Sequence, residues 1–307
     1  HFVQQISAGA GRKSQRVISS TPLKLLLKEF CDLFQKGLGE MGKLKARIFL
    51  KEGASPRFFK PRAVPYALRE KIEEDLKRLE NLRVISQIYH SEWAAPVVPV
   101  IKASGAVRIC GDFKITVNPQ LEVEQYPLPK AEDLFTSLEG GERFTTLDLA
   151  DAYLQMPLDP QAKQYLVINT HKGLYQYHRL PFGVSSAPAL FQRAMDTILQ
   201  GLRGVVCYID DILVTGANTE EHLSNLGKVF LRLREHGLRL NLNKCHFLGE
   251  SVEYLGYVIN KEGIHTSPKK VQAVLDAPPP KDLGELRSFL GLVNYYGKFI
   301  RNLSELA

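Results

Sequence analysis

Val205-Val206-Cys207-Tyr208-Ile209-Asp210-Asp211-Ile212-Leu213-Val214-Thr215 sets two acids between two runs of apolar, largely β-branched residues. Short runs of this composition read as strands, and so brief an interruption reads as a hairpin with Asp210 and Asp211 at its tip. Neighbouring carboxylates flanked by apolar residues are costly, because desolvation disfavours each charge and each repels the other. A divalent cation offsets both effects, and Mg²⁺ takes a few carboxylates together with water and substrate phosphates. The plain alternative is a solvated turn, since Asp is frequent in tight hairpins. The pair alone does not decide between the two.

Working outward, Phe144-Thr145-Thr146-Leu147-Asp148-Leu149 reads as a strand that delivers a third acid near its end. Ala95–Lys102 and Val107–Cys110 read as two extended runs joined across Ser104-Gly105, a hairpin-type loop signal. Leu68, Ile72, Leu76 and Leu79 recur at helical spacing with charges between them, which predicts an amphipathic helix. The first 45 or so residues, rich in Gly, Ser and basic residues, read as a linker with one helix over Leu25–Phe34. Beyond Ile264, Ser267 caps a helix with Val271, Val274 and Leu275 on one face. A second helix starts at Asp282, with Glu285 three residues on, and is expected to bury Leu286, Phe289, Leu290 and Val293.

A chain of 307 residues is about two domains' worth, and 44% hydrophobic with 24% charged residues excludes a disordered or fibrous protein. No run is long and apolar enough to span a bilayer. The net charge of +7 favours a polyanionic partner. Cys31, Cys110, Cys207 and Cys245 form no CxxC pair, so neither a zinc ribbon nor a disulfide framework is indicated, and a reducing, intracellular setting is expected. Cys245 beside His246 reads as a buried thiol. The chain opens on His1 without a charged-then-apolar leader, so it is expected to be cut from a longer product.

Three motifs in order change the reading of the acids. Tyr208-Ile209-Asp210-Asp211 resembles the Tyr-x-Asp-Asp box of reverse transcriptases, and Leu147-Asp148-Leu149-Ala150-Asp151-Ala152-Tyr153 resembles the preceding motif that supplies a third metal-binding aspartate. Leu180-Pro181-Phe182-Gly183-Val184-Ser185-Ser186-Ala187-Pro188-Ala189-Leu190-Phe191-Gln192 is similar to the Gypsy version of the motif between them. Tyr254-Leu255-Gly256-Tyr257-Val258 resembles the primer grip, and Glu285–Leu292 with Asn294-Tyr295-Tyr296 resembles the thumb signature. From about residue 46 onward the chain thus resembles the polymerase part of a Gypsy-type long-terminal-repeat retrotransposon reverse transcriptase.

The resemblance implies an α+β right-hand polymerase fold with a ferredoxin-like antiparallel palm, fingers and a partial helical thumb. Residues 1–45 would form an N-terminal extension, 46–121 and 156–182 the fingers, 122–155 and 183–264 the palm, and 265–307 the thumb. It implies RNA- and DNA-directed DNA synthesis from dNTPs on a primed template. Asp148, Asp210 and Asp211 would hold two Mg²⁺ ions, with Mn²⁺ as a substitute. Lys102 and Arg108 would clamp the triphosphate, a mobile point charge beside a planar fork. Tyr153 would lie under the sugar and leave no room for a 2′-hydroxyl. Phe182 and Gly183 would floor the nucleotide pocket, Lys244 would protonate the leaving pyrophosphate, and Tyr254, Leu255 and Gly256 would form the primer grip. A parent polyprotein with protease, ribonuclease H and integrase segments is also implied.

The chain departs from the family pattern twice. Lys102 is followed by Ala103-Ser104-Gly105-Ala106 rather than Asp-Gly-Ser, and the usual Gly is missing from Glu80-Asn81-Leu82-Arg83-Val84-Ile85. Two rival readings stand beside the favoured one. A decayed or co-opted relative would bind nucleic acid without catalysis, against which the intact aspartates speak. An RNA-dependent RNA polymerase is disfavoured by Tyr153 and the thumb signature.

Overall fold

The computed structural model describes residues 21–102, 105–122, 124–268, 272 and 276–295. Its centre is a four-stranded antiparallel sheet, order β7-β8-β4-β9, formed by Arg143–Asp148 (β4), Val205–Tyr208 (β7), Asp211–Gly216 (β8) and His246–Gly249 (β9). Ile212, Leu213 and Val214 of β8 are fully buried, since an inner strand covered on both faces takes a continuous apolar run. A five-stranded sheet, order β1-β6-β5-β2-β3, comprises Ile85–Ile88 (β1), Ala95–Ile101 (β2), Val107–Gly111 (β3), Val167–Thr170 (β5) and Gly173–Tyr177 (β6). It draws on both segments expected as fingers. Ser251–Tyr254 (β10), Tyr257–Asn260 (β11) and Gly263–Thr266 (β12) make a third sheet, whose Tyr254, Tyr257 and Ile259 pack with Phe135, Phe144 and Leu213.

Helices cover the two larger sheets and pack on one another. Thr21–Glu29 (α1), Tyr66–Asn81 (α2), Ala187–Leu199 (α3) and Thr219–Glu235 (α4) each present an apolar stripe to the core. In α4, Leu226, Val229, Phe230 and Leu233 are fully buried. Its first turn is closed by Asn218 Oδ1, which accepts from Glu221 N at 2.9 Å, while Glu221 Oε2 accepts from Ala217 N at 3.0 Å. In α2, Ile72, Leu76 and Leu79 are buried, as their spacing predicts.

Two expectations need correction. Residues 21–45 are not a linker: Leu23, Leu27, Phe30 and Leu33 belong to the main core, and the Phe30 ring lies 5.5 Å from that of Phe230 in α4. Residues 1–20 of that stretch lie outside the described residues. The helix from Asp282 is present as Leu283–Tyr295 (α5), with Asp282 Oδ1 accepting from Glu285 N at 2.8 Å. Leu286 and Leu290, however, are each 42% exposed rather than buried, because the described residues place nothing over that face. Phe289 is half-buried. The side chains of Val293, Val271, Val274 and Leu275 lie outside the described residues. Ser267 Oγ donates to Glu253 Oε1 at 3.0 Å, and most of the helix expected after it lies outside the described residues.

The missing glycine has a visible consequence. Helix α2 ends with Val84 N donating to Leu79 O at 2.9 Å and Arg83 N to Glu80 O at 2.8 Å. This closing pattern needs a left-handed residue after the helix. Arg83 fills that place at φ +55° with an exposed side chain.

Candidate active site

Strand pairing brings the acids together. Asp148, last in β4, pairs across the ladder with Asp211, first in β8. Asp211 also pairs with Tyr208, so the two-residue tip of the hairpin is Ile209-Asp210 and not Asp210-Asp211 as the sequence had implied. The correction follows from register, because the ladder closes one residue earlier than the apolar run ends. Ile209 adopts φ +58°, a strained conformation for a β-branched residue. Its backbone N donates to Gln192 Oε1 at 2.6 Å, and Gln192 Nε2 donates to Cys207 O at 3.0 Å, so one buried amide from α3 spans the turn.

The electrostatics are those of crowded carboxylates with one nearby cation. Lys244 Nζ donates to Asp148 Oδ2 at 3.2 Å, while Asp148 Oδ1 is buried with no hydrogen-bond partner among the described residues. Burial raises the Asp148 pKa above its ordinary value, Lys244 opposes that, and the charges of Asp210 and Asp151 add to it. Asp211 is raised as well, by desolvation of its carboxylate first and then by Asp210 and Asp148, although the residue is open to solvent on its outer side. Among the described residues, no group of three or more His, Cys, Asp or Glu side chains is gathered closely enough to hold a metal ion. The donor set of hard carboxylate oxygens nonetheless fits a divalent cation, with the partnerless Asp148 Oδ1 as an open ligand atom.

Tyr153, Phe182, Phe191 and Arg108 form an aromatic and basic cluster. The Tyr153 ring meets Phe182 at 5.1 Å and Phe191 at 5.3 Å, both edge-on, and the Arg108 guanidinium lies 4.5 Å from the centre of the Phe182 ring. The Tyr153 pKa is pushed up to about 12 by burial, then by the charge of Asp210. In the β2–β3 hairpin Val100 pairs with Arg108, and Lys102 N donates to Ala106 O at 2.8 Å. Alternation then puts Lys102 and Arg108 on one face. Gly183 has φ +93°, and a Cβ there would stand 3.1 Å from Gly111 O, so the position needs glycine for both backbone angle and space. Tyr254-Leu255-Gly256-Tyr257 is a two-residue hairpin with Leu255 at φ +51° and Gly256 at φ +81°. Tyr254 hydroxyl donates to Asp211 O at 2.9 Å, tying that hairpin to the acids.

Several participants escaped the sequence reading. Gln192 was visible only as the end of a motif. Asn118 Nδ2 donates to Gly183 O at 2.8 Å and its Oδ1 accepts from Ser185 N at 3.0 Å, fixing the pocket floor. Buried Asp75 accepts from Ile109 N at 2.9 Å and from Arg78 Nε at 2.8 Å, and Arg78 Nη1 reaches Asp151 Oδ2 at 3.3 Å. Helix α2 is thereby tied to the basic hairpin and to the segment after Asp148. The only sequence signal for these was polarity on an otherwise apolar face. All four cysteines are free, and Cys207 and Cys245 are buried. No helix among the described residues is long and apolar enough to cross a membrane.

An antiparallel sheet that delivers acids from β4 and the β7–β8 turn, with helices behind and a basic hairpin in front, defines a right-hand polymerase fold. Residues 112–259 match the family described as "Reverse transcriptase (RNA-dependent DNA polymerase)". The chain is 40% identical over 283 residues to the uncharacterized protein K02A2.6 of Caenorhabditis elegans, covering 91% of this chain and 22% of that protein. It is 35% identical over 294 residues to the retrovirus-related Pol polyprotein from transposon opus of Drosophila melanogaster, covering 93% and 29% respectively. The polyprotein from transposon gypsy of the same species is 34% identical over 202 residues, 65% of this chain and 19% of that one. The chain thus spans under a third of the length of these relatives. Among solved structures, a foamy viral protease-reverse transcriptase in complex with double-stranded DNA superposes with a TM-score of 0.84 at 24% identity, covering 99% of this chain and 53% of that one. Residues 112–259 thus form a reverse-transcriptase domain, and the chain around them is similar to retrovirus-related Pol polyproteins of transposons.

Proposed function

We propose that this chain synthesises DNA from dNTPs on a primed RNA or DNA template, by in-line attack of the primer 3′-hydroxyl on the α-phosphorus with pyrophosphate leaving. The observation that carries the reading is the Asp148–Asp211 pairing, which sets the strand-borne acids side by side beneath the Asp210 turn. Two Mg²⁺ ions held by Asp148, Asp210 and Asp211 would neutralise the triphosphate and lower the pKa of the 3′-hydroxyl. Lys102 and Arg108, on one face of their hairpin, bind the triphosphate and hold it for attack. Tyr153 and Phe182 flank the base-proximal sugar, and Lys244, already at Asp148, supplies the proton to the departing pyrophosphate. The fingers, palm and thumb divide as their sequence boundaries imply, with the β10–β11 turn at Tyr254, Leu255 and Gly256 gripping the primer. The relatives' polyprotein names support a parent chain that also carries further pol segments.

The test is single-nucleotide addition to a DNA primer on an RNA template by the purified chain in Mg²⁺. Extension with dNTPs but not rNTPs is expected. Template binding without extension would instead establish a nucleic-acid binder without catalysis, and preferential use of rNTPs would establish an RNA polymerase.

A further inference from the structure

The turn bearing Asp210 is held in a conformation that its own residue disfavours, because Ile209 is β-branched and left-handed. Something outside the turn must therefore impose it, and Gln192 is the side chain that reaches Ile209 N. A carboxamide does this only in one orientation, since its NH₂ end would repel a backbone N–H. Gln192 is fully buried and so cannot take its orientation from water. Two acceptors set it: Cys207 O at 3.0 Å and Asp196 Oδ1 at 2.8 Å, both receiving from Gln192 Nε2.

Asp196 is itself fixed from a part of the chain that no motif covers. Tyr126 hydroxyl donates to Asp196 Oδ2 at 2.5 Å. The segment carrying Tyr126 is held against α3 by the Arg193–Glu124 ion pair at 3.1 Å. Hydrogen bonding to Asp196 pushes the Tyr126 pKa up to about 12, so the phenol remains a donor across the working pH range. A continuous relay thus runs from Tyr126 through Asp196 and Gln192 to Ile209.

We propose that Tyr126 and Asp196 are positioning residues for polymerisation, which lock the Gln192 carboxamide in the one orientation that holds the Ile209-Asp210 turn. The rate consequence rests on the proposed polymerase function, whereas the structural consequence does not. Neither residue touches substrate.

The test uses Tyr126→Phe, which removes one hydroxyl from a half-buried ring, and Asp196→Asn as a second variant. Residue-resolved amide exchange reads the relay without substrate. Ile209 N–H exchange is expected to accelerate about tenfold in each variant, the loss of one hydrogen bond's worth of protection. In single-turnover primer extension, the maximal rate is expected to fall about tenfold with unchanged apparent dNTP affinity and template binding. In a Gln192→Met background, Tyr126→Phe should add no further loss, because the relay is already cut. Parent-like Ile209 exchange in both variants, or rate losses that multiply with Gln192→Met, would overturn the proposal. Faster Ile209 exchange in a chain that extends no primer would uphold the relay while defeating the polymerase reading.

Discussion

Asp148 and Asp211 are direct cross-strand partners at the open end of the β4–β8 ladder. Like charges at paired positions destabilise a sheet. The surrounding strands nevertheless hold them there, with Leu147 paired to Ile212 in the core and half-buried Thr146 paired to buried Leu213. Burial raises both carboxyl pKa values first, and the charges of Asp210 and Asp151 raise Asp148 further, as those of Asp210 and Asp148 raise Asp211.

In the proposed polymerase, the ring of Tyr153 would separate DNA synthesis from RNA synthesis. It is braced edge-on by Phe182 and Phe191, contacts that oppose its swinging aside. Forcing extra atoms into such a contact costs about 1–3 kcal/mol, and each ~1.4 kcal/mol is tenfold in rate or binding. Tyr153→Ala is expected to raise rNTP use relative to dNTP use by roughly 10- to 100-fold, read as the ratio of kcat/KM values on one template. An unchanged ratio in an active variant would make Tyr153 only a packing residue.

Arg83 offers a prediction about stability. It occupies the left-handed position that closes α2, where a Cβ is unfavourable and glycine is not. Arg83→Gly should raise stability by about 0.5–1 kcal/mol, after allowing for the greater freedom of glycine in the unfolded chain. Thermal or urea denaturation measures it. A loss of stability would mean that the arginine side chain makes a favourable contact large enough to outweigh the backbone strain.

His222 gives the fold a pH dependence. It is fully buried, with Nε2 2.7 Å from Thr145 Oγ1 and Nδ1 3.0 Å from Arg143 O, and burial lowers its pKa to about 4 from 6.5. Between those values the unfolded chain binds a proton that the folded one refuses, so stability falls as pH drops from 6.5 towards 4. The loss should amount to roughly 3 kcal/mol over that window. His222→Gln, though less stable at pH 8, should show a flatter profile there in denaturant titrations at stepped pH. An equal slope in parent and variant would remove His222 as the cause.

What the sequence revealed and what it hid divide along physical lines. Helix α2 and the strands bearing Asp148 and Asp211 were legible because burial imposes a pattern on neighbouring residues, and that pattern is written in the chain. The hairpin tip was misplaced by one residue because Tyr208 and Asp211 close the ladder through backbone hydrogen bonds, which side-chain identity does not encode. Leu23 and Leu27 have the spacing of a packed helix, yet the polar stretch before them reads as a linker. The contact of Phe30, just past α1, with Phe230 helps to identify the surface that α1 covers. The pattern in α5 showed which face is apolar, not whether anything covers it. Tyr126, Asp196 and Gln192 meet through three dimensions, and no local pattern announces them. The missing glycine, by contrast, was readable as a departure, and Arg83 bears its cost in backbone conformation.

The most direct measurement of the central claim is primer extension on an RNA template by the parent chain and by Asp210→Asn, with circular dichroism and thermal melting on both. The substitution keeps size and hydrogen bonding while removing one carboxylate from the cluster. Relief of repulsion should leave the fold at least as stable. The account predicts efficient extension by the parent in Mg²⁺ and a fall of about 10³-fold or more in the variant with its melting temperature retained. A folded variant that extends primers at the parent rate would contradict it.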